Sequence, residues 1–418
     1  MLDNFRKTYD KFSRPFWVLA LATFIDRIGG TLIFPFFALY ITDKFNVGMT
    51  EAGWLLAVWS ISGMLGTLIG GAIADKFGRR NMIIFGLVAS AFSSVAMGLV
   101  NDLYLFYGLS VFVGLLSNIA GPARQAQIVD LVGEERRGEA FGIMRVAGNL
   151  AWIIGPTIGG LMATRSYLAL FILDAITSLI VAVIYYKNIP ETKPVSVEKE
   201  EQESDSFLDT VRGYLVVFKD KMFNSFLMIM VLMNIVYLQL YGALSVYLRD
   251  SHGLTPQSYG MLMSINASTV VLMQIWISSK TSKRPPFLMM ALGSLVYAIG
   301  FPIFGIASTM AWFLVATLII ALGEMIIMPV SGAIAAKFAP EDMRGRYMAM
   351  FGWGWQFPSI VAPIIAGLIM DNLDPTILWT MSGGLAAFAT LGFYLLHLKT
   401  KKRFEEVEAT PLPQTQEA

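Results

Sequence analysis

A chain of 418 residues that is 56% hydrophobic and only 15% charged, with a mean hydropathy of +0.61, is not the composition of a water-soluble domain. Its net charge of +1, with the basic residues scattered over short loops, excludes a nucleic-acid partner, and the absence of cysteine excludes disulfides, thiolate metal sites and a cysteine nucleophile. What remains is an all-α membrane protein, since a bilayer core about 30 Å thick asks for runs of roughly 20 apolar residues.

Twelve such runs follow one another, near residues 16–41, 52–74, 81–99, 103–130, 140–163, 167–187, 223–248, 257–279, 287–307, 310–337, 345–370 and 376–398. Arg6, Lys7, Lys11 and Arg14 precede the first; Lys76, Arg79 and Arg80 follow the second; Arg136 and Arg137 follow the fourth. Lys280, Lys283 and Arg284, then Arg344 and Arg346, then Lys399 to Arg403 continue the alternation, so the positive-inside rule places both termini in the cytoplasm. The first run is too long for a cleavable signal peptide, lacks a small-residue cleavage site, and is expected to be a true span.

That first run carries Asp26 and Arg27, roughly 15 Å deep by helical rise. Adjacent residues on a helix point about 100° apart, so one of them lines the interior while the other reaches a neighbouring helix, with Asp174 as one polar partner. Asp26 reads as a protonatable coupling group or as half of a static ion pair.

Between the second and third runs stands GGAIADKFGRR, Gly70 to Arg80. It resembles the loop signature of the major facilitator superfamily, with Ile73 in place of the usual leucine. The resemblance implies the major facilitator fold, twelve helices in two pseudo-symmetric six-helix halves, and a loop that latches the outward-facing state. Gly71 and Gly78 would allow close approach, Asp75 would meet helix dipoles, and Arg79 or Arg80 would pair with carboxylates across the interface of the halves. In the fourth run no basic residue stands between Tyr104 and Gly114, where this superfamily's drug antiporters often have an arginine; farther on, Arg124 and Asp130 are candidates for charge pairing.

The fifth run contains Gly155, Pro156, Gly159 and Gly160, similar to the antiporter motif of the superfamily's drug exporters, with Ala151 where a further glycine is usual. Small residues permit close helix packing, and proline frees a carbonyl at a kink. Arg145, Asn149 and Trp152 sit on the same run. Arg145 reads either as a substrate or coupling group or as an arginine snorkelling to the inner leaflet.

Residues 188–222 are polar and charged and form a linker, expected to contain either an amphipathic helix from Ser206 through Phe218 lying on the cytoplasmic membrane face or a cytoplasmic extension of the seventh run. The linker divides the chain into residues 1–187, a first half, and 223–398, a second, with 399–418 a cytoplasmic tail. An offset of 207 residues aligns the halves: it pairs Arg137 with Arg344, Gly53 with Gly260, Pro156 with Pro363 and Gly160 with Gly367. In the second half Ser282 replaces Asp75, so that copy of the loop has decayed.

Tyr237, Gln239 and Tyr241 in the seventh run, and Trp353, Trp355 and Gln356 in the eleventh, are expected to line the cavity, because these runs do so in the superfamily. Glu324 lies mid-way along the tenth run, where burial would raise its pKa and let it exchange a proton for a cationic substrate, or where it is a hydrogen-bonded structural carboxyl. The combined expectation is a secondary transporter of a bacterial inner membrane, not an enzyme, exporting amphipathic or cationic small molecules in exchange for protons. Asp26 and Glu324 would couple; Arg27, Arg145, Asn149, Trp152 and the residues of runs seven and eleven would bind. No nucleotide-binding loop is present, so the driving force is the proton gradient and no cofactor is expected. The expected partners are substrate, protons and lipid, with the chain a monomer. A lipid or lysolipid flippase and a metabolite symporter are the alternatives on the same fold.

Overall fold

The computed structural model describes residues 8–192, 216–340 and 343–409, apart from the side chains at 71, 72, 75 and 401–409. Twelve helices among these residues are long and apolar enough to cross a membrane, and they fall on the twelve runs read from the sequence. No strand occurs among the described residues.

The first span is broken. Helix α1 (Arg14–Ile33) starts with Pro15 in its first turn, where a missing N–H costs nothing, and gives way to a 3-10 turn over Phe34–Phe36. Pro35 lies in that turn, and α2 (Phe37–Phe45) resumes the span and stops at Asn46, which is left-handed with φ 50°. Then follow α3 (Met49–Phe77), α4 (Arg79–Leu99), α5 (Leu103–Ile119), α6 (Gly121–Leu131), α7 (Arg137–Ala163) and α8 (Tyr167–Asn188). Beyond the linker come α9 (Lys221–Gly242), α10 (Leu244–His252), α11 (Pro256–Thr281), α12 (Pro286–Ile306), α13 (Met310–Phe338), α14 (Arg344–Asn372) and α15 (Thr376–Ala409).

The offset of 207 carries α2 onto α10 end for end, and left-handed Asn46 onto Gly253, left-handed with φ 62°. Of the amphipathic helix expected in the linker, residues 216–219 are helical and the remainder lies outside the described residues.

Contacts gather the chain into two compact units. One comprises residues 1–203 together with 238–271 and 359–375; the other comprises 204–237, 272–358 and 376–418. In the first unit, Phe16, Leu19, Ile83, Leu87, Val181 and Tyr185 form a buried core, while Phe37, Tyr40, Phe106 and Phe171 interlock as an aromatic group. On α3, Gly66 and Gly70 lie so close to the α5 carbonyls of Leu115 and Ile119 that a Cβ would overlap them. In the second unit, Phe226 stands among Phe287, Phe338, Phe351 and Phe393.

Candidate functional site

Three sides of α1 are taken up by its neighbours. Asp26 forms an ion pair with Arg124 of α6. Gly29 faces α8, where a Cβ would come within 2.6 Å of Asp174 Oδ1, and Asp174 accepts a hydrogen bond from Ser94 of α4. The Thr31 hydroxyl donates to Ala151 O of α7 at 3.1 Å. The remaining side, between the α6 and α7 contacts, carries Arg27, Gly30 and Phe34 at helical spacing. Its upper end meets aromatic rings, with Phe34 edge-on to Trp152 at 6.2 Å and 6.1 Å from Tyr241, and Trp152 at 5.1 Å from Tyr241.

Helix α7 presents a matching side. Arg145, Asn149 and Trp152 follow at i, i+4 and i+7, between the α7 residues that touch α1 (Gly155, Gly159) and those that touch α11 (Gly160, Thr157). Phe34 is seven residues after Arg27, and Trp152 is seven after Arg145. Since those rings touch, both arginines lie about 10 Å below the same aromatic roof, within about a helical turn of each other in depth. Both are exposed within the unit, and among the described residues neither makes a hydrogen bond or ion pair. A Cβ at Gly30, Gly142 or Gly148 would meet nothing within 4 Å, so the helix surface beside the two arginines is uncrowded.

The opposite end of the unit is shut by two backbone seams. At the first, α7 packs on α11: Gly260 lies against Pro156 O, a Cβ on Gly160 would reach Pro256 O at 2.8 Å, and Thr157 Oγ1 donates to Ser264 Oγ at 2.7 Å. At the second, α14 packs on α3: Gly53 lies against Pro363 O, and a Cβ on Gly367 would reach Met49 O at 2.6 Å. Asp371 adds a carboxylate there, accepting from Met49 N at 2.9 Å and Thr50 N at 2.6 Å, and so caps α3 from another helix. Ser60 Oγ donates to Ser359 O at 3.3 Å along the same seam.

At the basic-loop end, Gly78 takes φ 91°, a conformation that favours glycine. The Glu191 carboxylate accepts from Arg79 N at 2.9 Å, Arg79 pairs with Asp130, and Arg80 donates to Tyr186 O and stacks over that ring. Among the described residues, the loop arginines therefore bind Asp130 and Tyr186 of the first half and Glu191 of the linker rather than carboxylates of the second half. The side chain of Asp75 lies outside the described residues, and Gly71 has none.

Within the second unit, Tyr237 is stacked on Tyr297 and edge-on to Trp355, Glu324 is half-buried on α13, and Trp353 and Gln356 are exposed on α14. Gln239, expected to face substrate, is instead buried in the first unit, where its amide donates to Ala362 O at 3.2 Å and ties α9 to α14.

The family model of the Major Facilitator Superfamily matches residues 19–363 and again 289–416. The chain belongs to the Major Facilitator Superfamily. It is a multi-pass membrane protein and a secondary transporter of that superfamily. Among its relatives, the Na(+), Li(+), K(+)/H(+) antiporter of Planococcus maritimus is 26% identical over 84% of this chain and 89% of its own. The multidrug resistance protein MdtH of Salmonella arizonae is 23% identical over 93% and 95%. A POT family transporter in complex with 5-aminolevulinic acid shares the fold with a TM-score of 0.78 at 17% identity, over 92% of this chain and 96% of its own. The nucleoside transporter NupG does so at 0.76 and 14%, over 92% and 100%.

For a transporter, the arrangement supplies an open, charged and aromatic-roofed face on α1 and α7, and two seams that must part if substrate is to leave past them. Two contributors escaped the sequence reading. Phe34 was signalled by its helical spacing from Arg27, and Asp371 by the fact that its counterpart across the offset is Thr164.

Proposed function

We propose that this transporter is a proton-coupled antiporter that exports amphipathic small molecules across a bacterial inner membrane by alternating access. The observation that carries the reading is the α7 run Gly155–Gly160, which has neighbouring helices packed directly against its glycines on two sides at once. On one side Gly155 and Gly159 abut Thr31 and Leu32, and on the other Gly160 abuts Pro256 and Gln257. A helix clasped this closely on both sides moves as a unit with α1, and its motion opens or closes the α11 seam. The antiport named for the Planococcus relative and the multidrug resistance named for MdtH favour export in exchange for protons. With the basic loops in the cytoplasm, the seams face outward and close the exit.

Coupling is assigned to Glu324 and to the Asp26–Arg124 pair. Protonation of Asp26 would cancel its attraction for Arg124 and free α6 from α1. Purified transporter in liposomes, with an imposed pH gradient and a fluorescent amphipathic dye, tests this. Asp26→Asn with Glu324→Gln is expected to abolish gradient-driven extrusion. Extrusion that continues in this double variant, or after the gradient is collapsed, contradicts the scheme.

A further inference from the structure

We propose that Arg27 and Arg145 form an anion-recognition site, so that the transported molecule carries a carboxylate or a phosphate on an apolar or aromatic body. The proposal rests on the export reading above and names its substrate class; it narrows the amphipathic or cationic molecules expected from the sequence to amphipathic anions.

Charge pairing in the first unit singles out these two residues. Its other deeply placed ionisable groups have partners, Asp26 with Arg124 and Asp174 with Ser94. Arg27 and Arg145 have none among the described residues. Arg27 lies 13 residues into α1, about 20 Å along the helix, where an uncompensated charge is costly unless water or a ligand serves it.

Snorkelling to lipid headgroups does not account for Arg145. Its side of α7 runs straight up to Trp152, which touches Phe34 of α1 and Tyr241 of α9, so this side turns toward protein and not toward acyl chains. The same rings locate Arg27, two turns beneath Phe34.

The chemistry of the pair follows. A guanidinium offers a planar fork of donors matched to two oxygens of a carboxylate or phosphate, and it stays charged at any physiological pH. Two such forks at one depth repel each other and any cation placed between them, while an anion relieves both. Gly30, Gly142 and Gly148 keep the helix surfaces next to the two arginines free of side chains, and Phe34, Trp152 and Tyr241 provide a roof for an apolar body.

The test uses the full chain in lipid nanodiscs and four probes of one shape: 1-naphthoate, 1-naphthyl phosphate, 1-naphthalenemethanol and 1-naphthylmethylammonium. Calorimetry at pH 7 is expected to find both anions bound at least tenfold more tightly than the alcohol, with the ammonium weakest. Arg27→Gln and Arg145→Gln should each remove that preference while alcohol binding persists, and Arg27→Lys or Arg145→Lys should keep part of it. A lysophosphatidate arm separates sources: tighter binding than naphthyl phosphate marks a lipid headgroup, weaker binding a soluble anion, and either outcome supports the site. An ammonium bound as tightly as the anions overturns the proposal, as does an anion preference that survives the double glutamine variant. The wild-type probe series decides even where a variant fails to fold. Loss of proton-driven extrusion with anion preference intact would count against the antiport reading alone; the reverse would count against the anion site alone.

Discussion

The two seams are copies of one another in backbone and strangers in side chain. Gly260 against Pro156 and Gly160 against Pro256 in the α7–α11 seam become Gly53 against Pro363 and Gly367 against Met49 in the α3–α14 seam, each residue displaced by the same 207 positions. Yet the helix start at each seam is served differently. At α11, Thr255 caps locally, accepting from Ser258 N at 3.4 Å. At α3 the corresponding residue is Gly48, which has no side chain to cap with, and Asp371 reaches in from α14 instead. Conversely, the Thr157–Ser264 hydrogen bond of the first seam has Ile364 and Ala57 as its counterparts. Duplication preserved what sets the distance between helices, and the two halves then acquired separate polar contacts.

The strongest way to break the comparison is to enlarge a seam glycine. Gly53→Val and Gly260→Val each force a side chain into a carbonyl, at a cost of about 1–3 kcal/mol. The two variants are expected to depress transport alike, by tenfold or more, with a lowered unfolding temperature. A strong effect at one glycine and none at the other would show that only one seam works as a gate.

Asp371→Ala separates the seams where the backbone does not. Loss of a two-bond cap is worth about 1 kcal/mol, or about fivefold in an open–closed balance. Because the chain has no cysteine, Met49→Cys is a clean reporter, and Met49 is only 2% exposed. Its labelling by an impermeant maleimide should rise about fivefold in Asp371→Ala and stay unchanged in Thr255→Ala.

The smallest expected effect comes from the ends of the matched helices, where α2 ends in Phe45 and α10 in His252. Burial holds the His252 pKa below its ordinary value, so the unfolded chain binds its proton more readily than the folded one. Stability from this group is full above about pH 6.5 and declines as pH falls toward the folded value. His252→Phe, which copies the first half, should reduce the fall in unfolding temperature between pH 7.5 and 5.5. An unchanged slope would mean that His252 titrates alike in both states.

How much of this was legible in the sequence depends on the kind of information. Apolar run length fixes the spans, and the register of Gly53, Pro156, Gly160 and their counterparts fixes the repeat, because both are properties of backbone packing that tolerate few residue types. The break at Phe34–Phe36 was missed although Pro35 marks it, since the surrounding run stays apolar throughout. Partnership between side chains was less legible. Asp26 stands beside Arg27 in sequence but pairs with Arg124, 98 residues away, and Asp174 turns to Ser94. Gln239 looked like a cavity residue by its helix, while its position on that helix points it at the Ala362 carbonyl. Side-chain choice among several nearby partners depends on helix rotation, which periodicity alone leaves undetermined.

Alternating access by this transporter requires the seams to part, and one disulfide tests that directly. Thr157 Oγ1 and Ser264 Oγ are 2.7 Å apart across the α7–α11 seam, so Thr157→Cys with Ser264→Cys should cross-link on oxidation in this cysteine-free chain. The oxidised transporter is predicted to stop carrying substrate in liposomes and to resume when a reductant is added. Transport at an undiminished rate with the cross-link fully formed would contradict the account.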